Sequence, residues 1–99
     1  MTRQYRKTQA LFEWDERKAE SNRRKHGVDF GQAVSAFEDP HALVRYDAAH
    51  SGEEDRFHLL GMVGTMLVLL VVFTEQDAIR IISARRATRQ EVRHYEQHR

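Results

Sequence analysis

None of the 99 residues is cysteine, which removes disulfide frameworks, thiolate metal sites and cysteine nucleophiles, and suits a reducing cytosol. There is almost no net charge: 16 lysines and arginines face 15 aspartates and glutamates, so bulk charge identifies no partner. Any nucleic-acid reading must come from how charge is distributed. There is no long apolar run either. Leu59 to Phe73 spans 15 residues broken by "GMVGT", whereas a spanning helix needs about 18 to 20, so a hairpin and no membrane anchor is expected. The opening "MTRQYRKTQA" is polar and carries no apolar h-region, so no secretory signal is expected and the location is expected to be cytoplasmic. Glycine-rich phosphate loops, G-x-S-x-G, RNP-like aromatic strands, internal repeats and low-complexity segments are all missing.

What is present suits one domain with a modest core, since hydrophobic residues make up 40%. "FEWDERKAESNRRKHG" reads as a helix with Asp15 as N-cap, Gly27 as stop and a thin apolar stripe of Phe12, Trp14 and Ala19. "VDFGQAVSAFEDP" reads as a second helix, with Asp29 and Gln32 as a capping box and Phe30, Ala33, Val34 and Phe37 on one side. Its end is marked by Pro40, the only proline. "ALVRYD" is a short strand and "AAHSGEED" a polar, acidic loop. "RFHLLGMV", "TMLVLLVVFT" and "AIRIISAR" then follow as strands joined by short turns, an antiparallel meander whose middle run is covered on both faces. Thr88 with Glu91 makes a capping box for a last helix. The predicted order is α-α-β-β-β-β-α. This is an α+β domain over residues 11–99 with two N-terminal helices, an antiparallel sheet of about four strands and a C-terminal helix, after a flexible extension over residues 1–10.

Charge is unevenly spread along this frame. Asp29 to Asp55 carries seven acids against Arg45, while Ala78 to Arg99 carries six arginines against Glu91 and Glu96. Strict alternation along "IRIISARR" sets Arg80, Ile82 and Ala84 on one face and Ile79, Ile81 and Ser83 on the other. With helices over the isoleucine-rich face, Arg80 looks outward, near Arg56 and His58 if their strands are neighbours. Arg85 and Arg86 stand where the strand turns into a helix whose first amides also favour anions, with Arg89 next in line. Guanidinium forks bind phosphate bidentately at any ordinary pH, so the cluster has the character of a phosphate-backbone site. The simpler reading pairs these arginines with the seven middle acids. In "NRRKHG", Lys25 and His26 offer proton transfer near neutral pH, or merely complement the helix dipole. His94 and His98 are four apart on a helix with no third ligand, so no metal site is expected.

"FEWDERKAESNRRKHGVDFGQAVSAFEDP", "RFHLLG", "LVLLVVFTE" and "IRIISARRATRQEVRHYE", in this order and spacing, resemble the BrnT toxins of bacterial type II toxin-antitoxin systems, which are similar in fold to the RelE ribonucleases. The resemblance runs from about Phe12 to Glu96. It implies an endoribonuclease that arrests translation, needs no cofactor, and is neutralised by a BrnA-type ribbon-helix-helix antitoxin. Operator DNA is then met only through that partner. The matching positions are Lys25, His26, Arg56, Arg80, Ser83, Arg85 and Arg86; Gln76 departs from the family, many of whose members have arginine there. Metal-free RNA cleavage uses the 2′-hydroxyl as nucleophile, so the protein need supply only a base, an acid and positive charge. On this reading Arg80 and Arg85 stabilise the phosphorane, Arg56 and Arg86 hold the backbone with Arg89 and His58 as further RNA contacts, and His26 with Lys25 moves protons. A non-cleaving RNA- or ribosome-binding module needs the arginines and makes no use of His26. An operator-binding role lacks any helix-turn-helix or ribbon arm.

Overall fold

Asp15 accepts hydrogen bonds from the backbone N–H of Arg17 at 2.8 Å and Lys18 at 3.3 Å, which fixes the start of α1 (Glu16–His26). Gly27 closes α1 in the left-handed region, at φ 69°, with its N–H on the Arg23 carbonyl. α2 (Phe30–Ala36) opens on a complete Asp29–Gln32 capping box and stops before Pro40. These are features of a computed structural model that describes residues 2–7, 10–52 and 54–99, with only the backbone of 3–7. Of the middle acids, Glu53 lies outside the described residues, as do Met1, Thr8 and Gln9.

Six strands make up the described sheet: β1 (Thr2–Lys7), β2 (Ala10–Asp15), β3 (Leu43–Tyr46), β4 (Arg56–Val63), β5 (Leu67–Glu75) and β6 (Ile79–Arg86), in the order β1-β2-β6-β5-β4-β3. β3 to β6 form the expected antiparallel meander, because short turns join neighbouring strands. Two expectations need correction. The first helix does not reach back to Phe12: Ala10–Asp15 is a strand that buries Phe12 and Trp14 on one side and turns Glu13 to the other, a period of two rather than 3.6. The sheet is mixed rather than purely antiparallel, and exceeds four strands, since β2 pairs parallel to β6 through Phe12–Ile79 and Glu13–Arg80. The stretch read as an N-terminal extension supplies β1, whose backbone pairs antiparallel along the outer edge of β2 from Thr2 to Lys7.

α1 and α2 cover one face of the sheet. There Phe12, Trp14, Phe30, Val34, Leu69, Val71, Phe73, Ile81 and Ala84 form the main core. Aromatic rings meet edge to face, Trp14 on Phe30 at 5.8 Å and Phe37 on Phe73 at 4.9 Å. Asn22, the buried polar residue of α1, clamps β6 by bonding both the carbonyl and the N–H of Ala84, at 2.8 and 3.1 Å. Gly61 allows α2 to lie close on β4: a Cβ there would stand 2.4 Å from the Ala36 carbonyl oxygen.

The opposite face carries a smaller cluster of Leu60, Val68, Leu70 and Tyr95 under α3 (Arg89–Gln97), which begins at the expected Thr88–Glu91 capping box. β5 is thus covered on both faces. Asp39, just past α2, ties this side together by accepting the Met62 N–H at 2.8 Å and the Tyr95 hydroxyl on the same oxygen. Burial, then the Asp39 hydrogen bond, pushes the Tyr95 hydroxyl up to about 12.

Candidate active site

One irregularity in β6 decides which side chains meet. β5 opposes Leu70 to Arg85, Val72 to Ser83 and Thr74 to Arg80, while Val71 opposes Ala84 and Phe73 opposes Ile81. Ile82 is the extra residue of a bulge between these two registers. Strict alternation therefore fails: Arg80, Ser83 and Arg85 all lie on the α3 face, and Ile79, Ile81, Ala84 and Arg86 on the α1–α2 face. Separating Arg80 from Ser83, as alternation requires, is corrected by that one inserted residue. On β4, Arg56 opposes Thr74 and His58 opposes Val72, so the rows run Arg56–Thr74–Arg80 and His58–Val72–Ser83. Strands about 4.8 Å apart put the Arg56 and Arg80 backbones about 10 Å from each other, a span two guanidinium forks close on one phosphate.

His58 is held from both sides. Its Nε2 lies 2.9 Å from Asp47 Oδ2 and its Nδ1 3.4 Å from a guanidinium nitrogen of Arg45. A guanidinium only donates, so Nδ1 accepts and Nε2 carries the hydrogen given to Asp47. The contact to Nδ1 is long, which leaves that lone pair loosely held on the Arg45 side of the ring. His50 Nδ1 reaches the same Asp47 oxygen at 3.0 Å. Burial raises the Asp47 carboxyl, but the hydrogen bonds of His50 and His58 outweigh it and hold the group below its ordinary value. The loop read as merely polar and acidic is pinned around this carboxylate. The Ser51 hydroxyl donates to the Asp47 carbonyl at 2.6 Å and accepts the Arg56 N–H at 2.9 Å.

The arginines differ in how they are occupied. Arg80 donates to Glu13 at 2.5 Å across the β2–β6 pair. Arg85 grips Glu91 fork to fork, at 2.8 and 3.0 Å, and also donates to the Arg86 carbonyl. The Arg85 hydrogen bonds hold the Glu91 carboxyl down to about 2, and Glu91 in turn raises the Arg85 guanidinium. Their partners come from β2 and α3, not from the acidic middle segment. Arg56 is half-buried and makes no side-chain hydrogen bond or ion pair among the described residues.

Beside this cluster a cleft of about 420 Å³ opens between α3 and the sheet, lined by Leu43, Arg45, His58, Leu60, Leu70, Gln90, Glu91 and His94. A larger hollow, about 610 Å³ by the β5–β6 turn, contains none of the sequence-predicted site residues. Arg56, His58, Arg80, Ser83 and Arg85 share the α3 face of β4 and β6. Lys25 and His26 end α1, which packs through Ala19 and Asn22 on the other side of β6, and no hydrogen bond joins them to the cluster among the described residues. Arg86 and Arg89 are exposed at the strand end and the first turn of α3. Sequence reading missed Asp47, Arg45 and Glu13. The signal was the i, i+2 spacing of Arg45 with Asp47 and of Arg56 with His58, legible only once β3 and β4 are known to pair. Among the described residues no three histidine, aspartate or glutamate side chains are grouped as metal ligands.

Residues 14–91 match the family described as the ribonuclease toxin, BrnT, of type II toxin-antitoxin systems. The chain belongs to this family. Its fold matches the crystal structure of the Brucella abortus ribonuclease toxin, BrnT, with a TM-score of 0.61 and 29% identity over 77% of this chain and 94% of that one. No curated protein sequence matches. The BrnT match covers β3 to β6 whole and takes in Asp47, Arg56, His58, Arg80 and Arg85. No described helix is long and apolar enough to cross a membrane.

Proposed function

We propose that this BrnT-family chain is an endoribonuclease that cuts RNA on the α3 face of its sheet, by attack of a 2′-hydroxyl on the adjacent phosphate without a metal ion. The observation that carries the reading is the His58 imidazole, oriented by Asp47, on the same face as Arg56 and Arg80. His58 Nδ1 takes the 2′-hydroxyl proton as O2′ bonds to phosphorus. The P–O5′ bond then breaks, and O5′ takes a proton from water at the open mouth of the face. This leaves a 2′,3′-cyclic phosphate and a 5′-hydroxyl. Arg56 and Arg80 hold the charge that builds on the phosphorane, Arg80 exchanging Glu13 for phosphate. Ser83 lies in the His58 row as a further hydrogen-bond donor. Arg85 supports the site by fixing the start of α3 through Glu91, and the exposed Arg86 and Arg89 extend the cationic path for the backbone. Proton transfer, which the sequence assigns to His26 with Lys25, passes on this reading to His58.

A toxin of a type II system has an antitoxin. We read the partner as BrnA-type, a ribbon-helix-helix protein that covers the arginine face with an acidic or amphipathic segment and alone contacts operator DNA. Cleavage of cellular RNA in the cytoplasm then stops translation. The test is to incubate the antitoxin-free chain with end-labelled RNA in chelator and map the product ends. Internal cuts bearing 2′,3′-cyclic phosphate are expected; an intact RNA beside folded protein, or cuts only with added metal, would overturn the mechanism.

A further inference from the structure

The cleft between α3 and the sheet is not used by the phosphate chemistry, yet it begins at His58. Its floor is apolar, with Leu60 and Leu70 buried and Leu43 half-buried beside them. Its rim is polar and comes from two sides. Arg45 stands on β3, while Gln90 and His94 stand one turn apart on α3, all three exposed. The third α3 residue in the lining, Glu91, has both oxygens engaged by Arg85 and one also by the Thr88 N–H, so it forms a fixed wall. The Gln90 side chain makes no hydrogen bond among the described residues, and the Arg45 side chain has only its long contact to His58. An apolar floor with an unspent side-chain amide, a loosely held guanidinium fork and the exposed His94 imidazole, which leans on His98 at 4.5 Å, suits a nucleobase. A volume of about 420 Å³ accommodates one.

We infer that this cleft is a base pocket, and that it takes a purine on the nucleotide whose 2′-hydroxyl attacks. The purine preference follows from the two edge-readers, Gln90 and Arg45. Arginine forks match guanine O6 and N7, and glutamine amides match adenine N6 and N7, both purine edges. The pocket's position follows from His58, which belongs to both the cleft lining and the arginine rows, so a base seated on Leu60 and Leu70 brings its own ribose to Nδ1. His94 covers the base on the solvent side. This inference rests on the proposed cleavage site but is tested without cleavage.

The probes are the four nucleoside 3′-monophosphates and inorganic phosphate, titrated into the folded chain while the His58 and His94 ring protons are followed by NMR. Purine nucleotides are expected to bind about tenfold tighter than pyrimidine ones and to shift His94 as well as His58. Gln90→Ala and His94→Ala should each lower the ratio of purine-nucleotide to phosphate affinity about tenfold. Equal affinity for all four nucleotides and for phosphate, with His58 shifting and His94 still, would overturn the base pocket while leaving the phosphate site standing. Tighter pyrimidine binding would overturn the purine assignment. No binding of any probe would overturn both the pocket and the site beneath it.

Discussion

The two faces of the sheet use the same strands for opposite ends. Under α1 and α2 the buried side chains described from Phe12 to Ala84 are apolar except for Asn22, which clamps Ala84 of β6. Under α3 only a patch around Leu60, Leu70 and Tyr95 is sealed, and the rest of the face carries four arginines and a histidine, with Arg80 held by Glu13, Arg85 by Glu91 and His58 by Asp47. One face therefore stabilises the fold, and the other is left open to carry charge. The bulge at Ile82 lets one strand serve both, keeping Ile81 and Ala84 on the sealed side and Arg80, Ser83 and Arg85 on the open one.

Substitutions on the two faces should separate stability from activity. Phe73→Ala on the sealed face removes a ring packed between Phe37 and Phe57 and should cost about 3–5 kcal/mol of unfolding free energy by urea melts. Arg80→Ala on the open face should cost on the order of 10² to 10³ in cleavage rate. Its melt should move by less than about 1 kcal/mol, because the lost Glu13 pair is partly exposed. A wild-type rate from folded Arg80→Ala would break the comparison. Tyr95→Phe loses the hydroxyl bonded to Asp39 and should cost about 1–2 kcal/mol. The fold raises that hydroxyl from 10.0 to about 12, so its contribution is whole below pH 10 and lost as pH rises through 12. Urea melts from pH 8 to 12 should show the wild type losing its margin over Tyr95→Phe. Glu91→Gln should cost about 1–2 kcal/mol, discounted for partial exposure of the Arg85 pair. Because the folded carboxyl is lowered from 4.5 to about 2, its contribution is present above 4.5 and lost as pH falls through 2. The variant should therefore show a flatter acid limb in melts across that window.

What was legible in the sequence was local. Asp15 and Gly27 bound α1, Asp29 with Gln32 starts α2, and Thr88 with Glu91 starts α3, because caps are written within a few residues. The meander from β3 to β6 was legible for the same reason. β2 was not, since its pairing with β6 joins Glu13 to Arg80 across 67 positions and its short run ALFEWD shows no clean alternation. The site divides in the same way. Arg56 and Arg80 could be placed on one open face only on the condition that their strands adjoin, and β5 in fact stands between them. Asp47 sits in a stretch that reads as solvated acid until pairing of β3 with β4 brings it to His58. The shared face of Arg80, Ser83 and Arg85 depends on an inserted residue that no alternation rule reveals.

The most direct test of the open face as the cleaving face compares His58→Gln with His26→Gln on end-labelled RNA in chelator, with folding checked by circular dichroism. The expected result is a loss on the order of 10² to 10⁴ for His58→Gln, far greater than for His26→Gln. Cleavage that survives His58→Gln at the wild-type rate and collapses in His26→Gln would contradict the account.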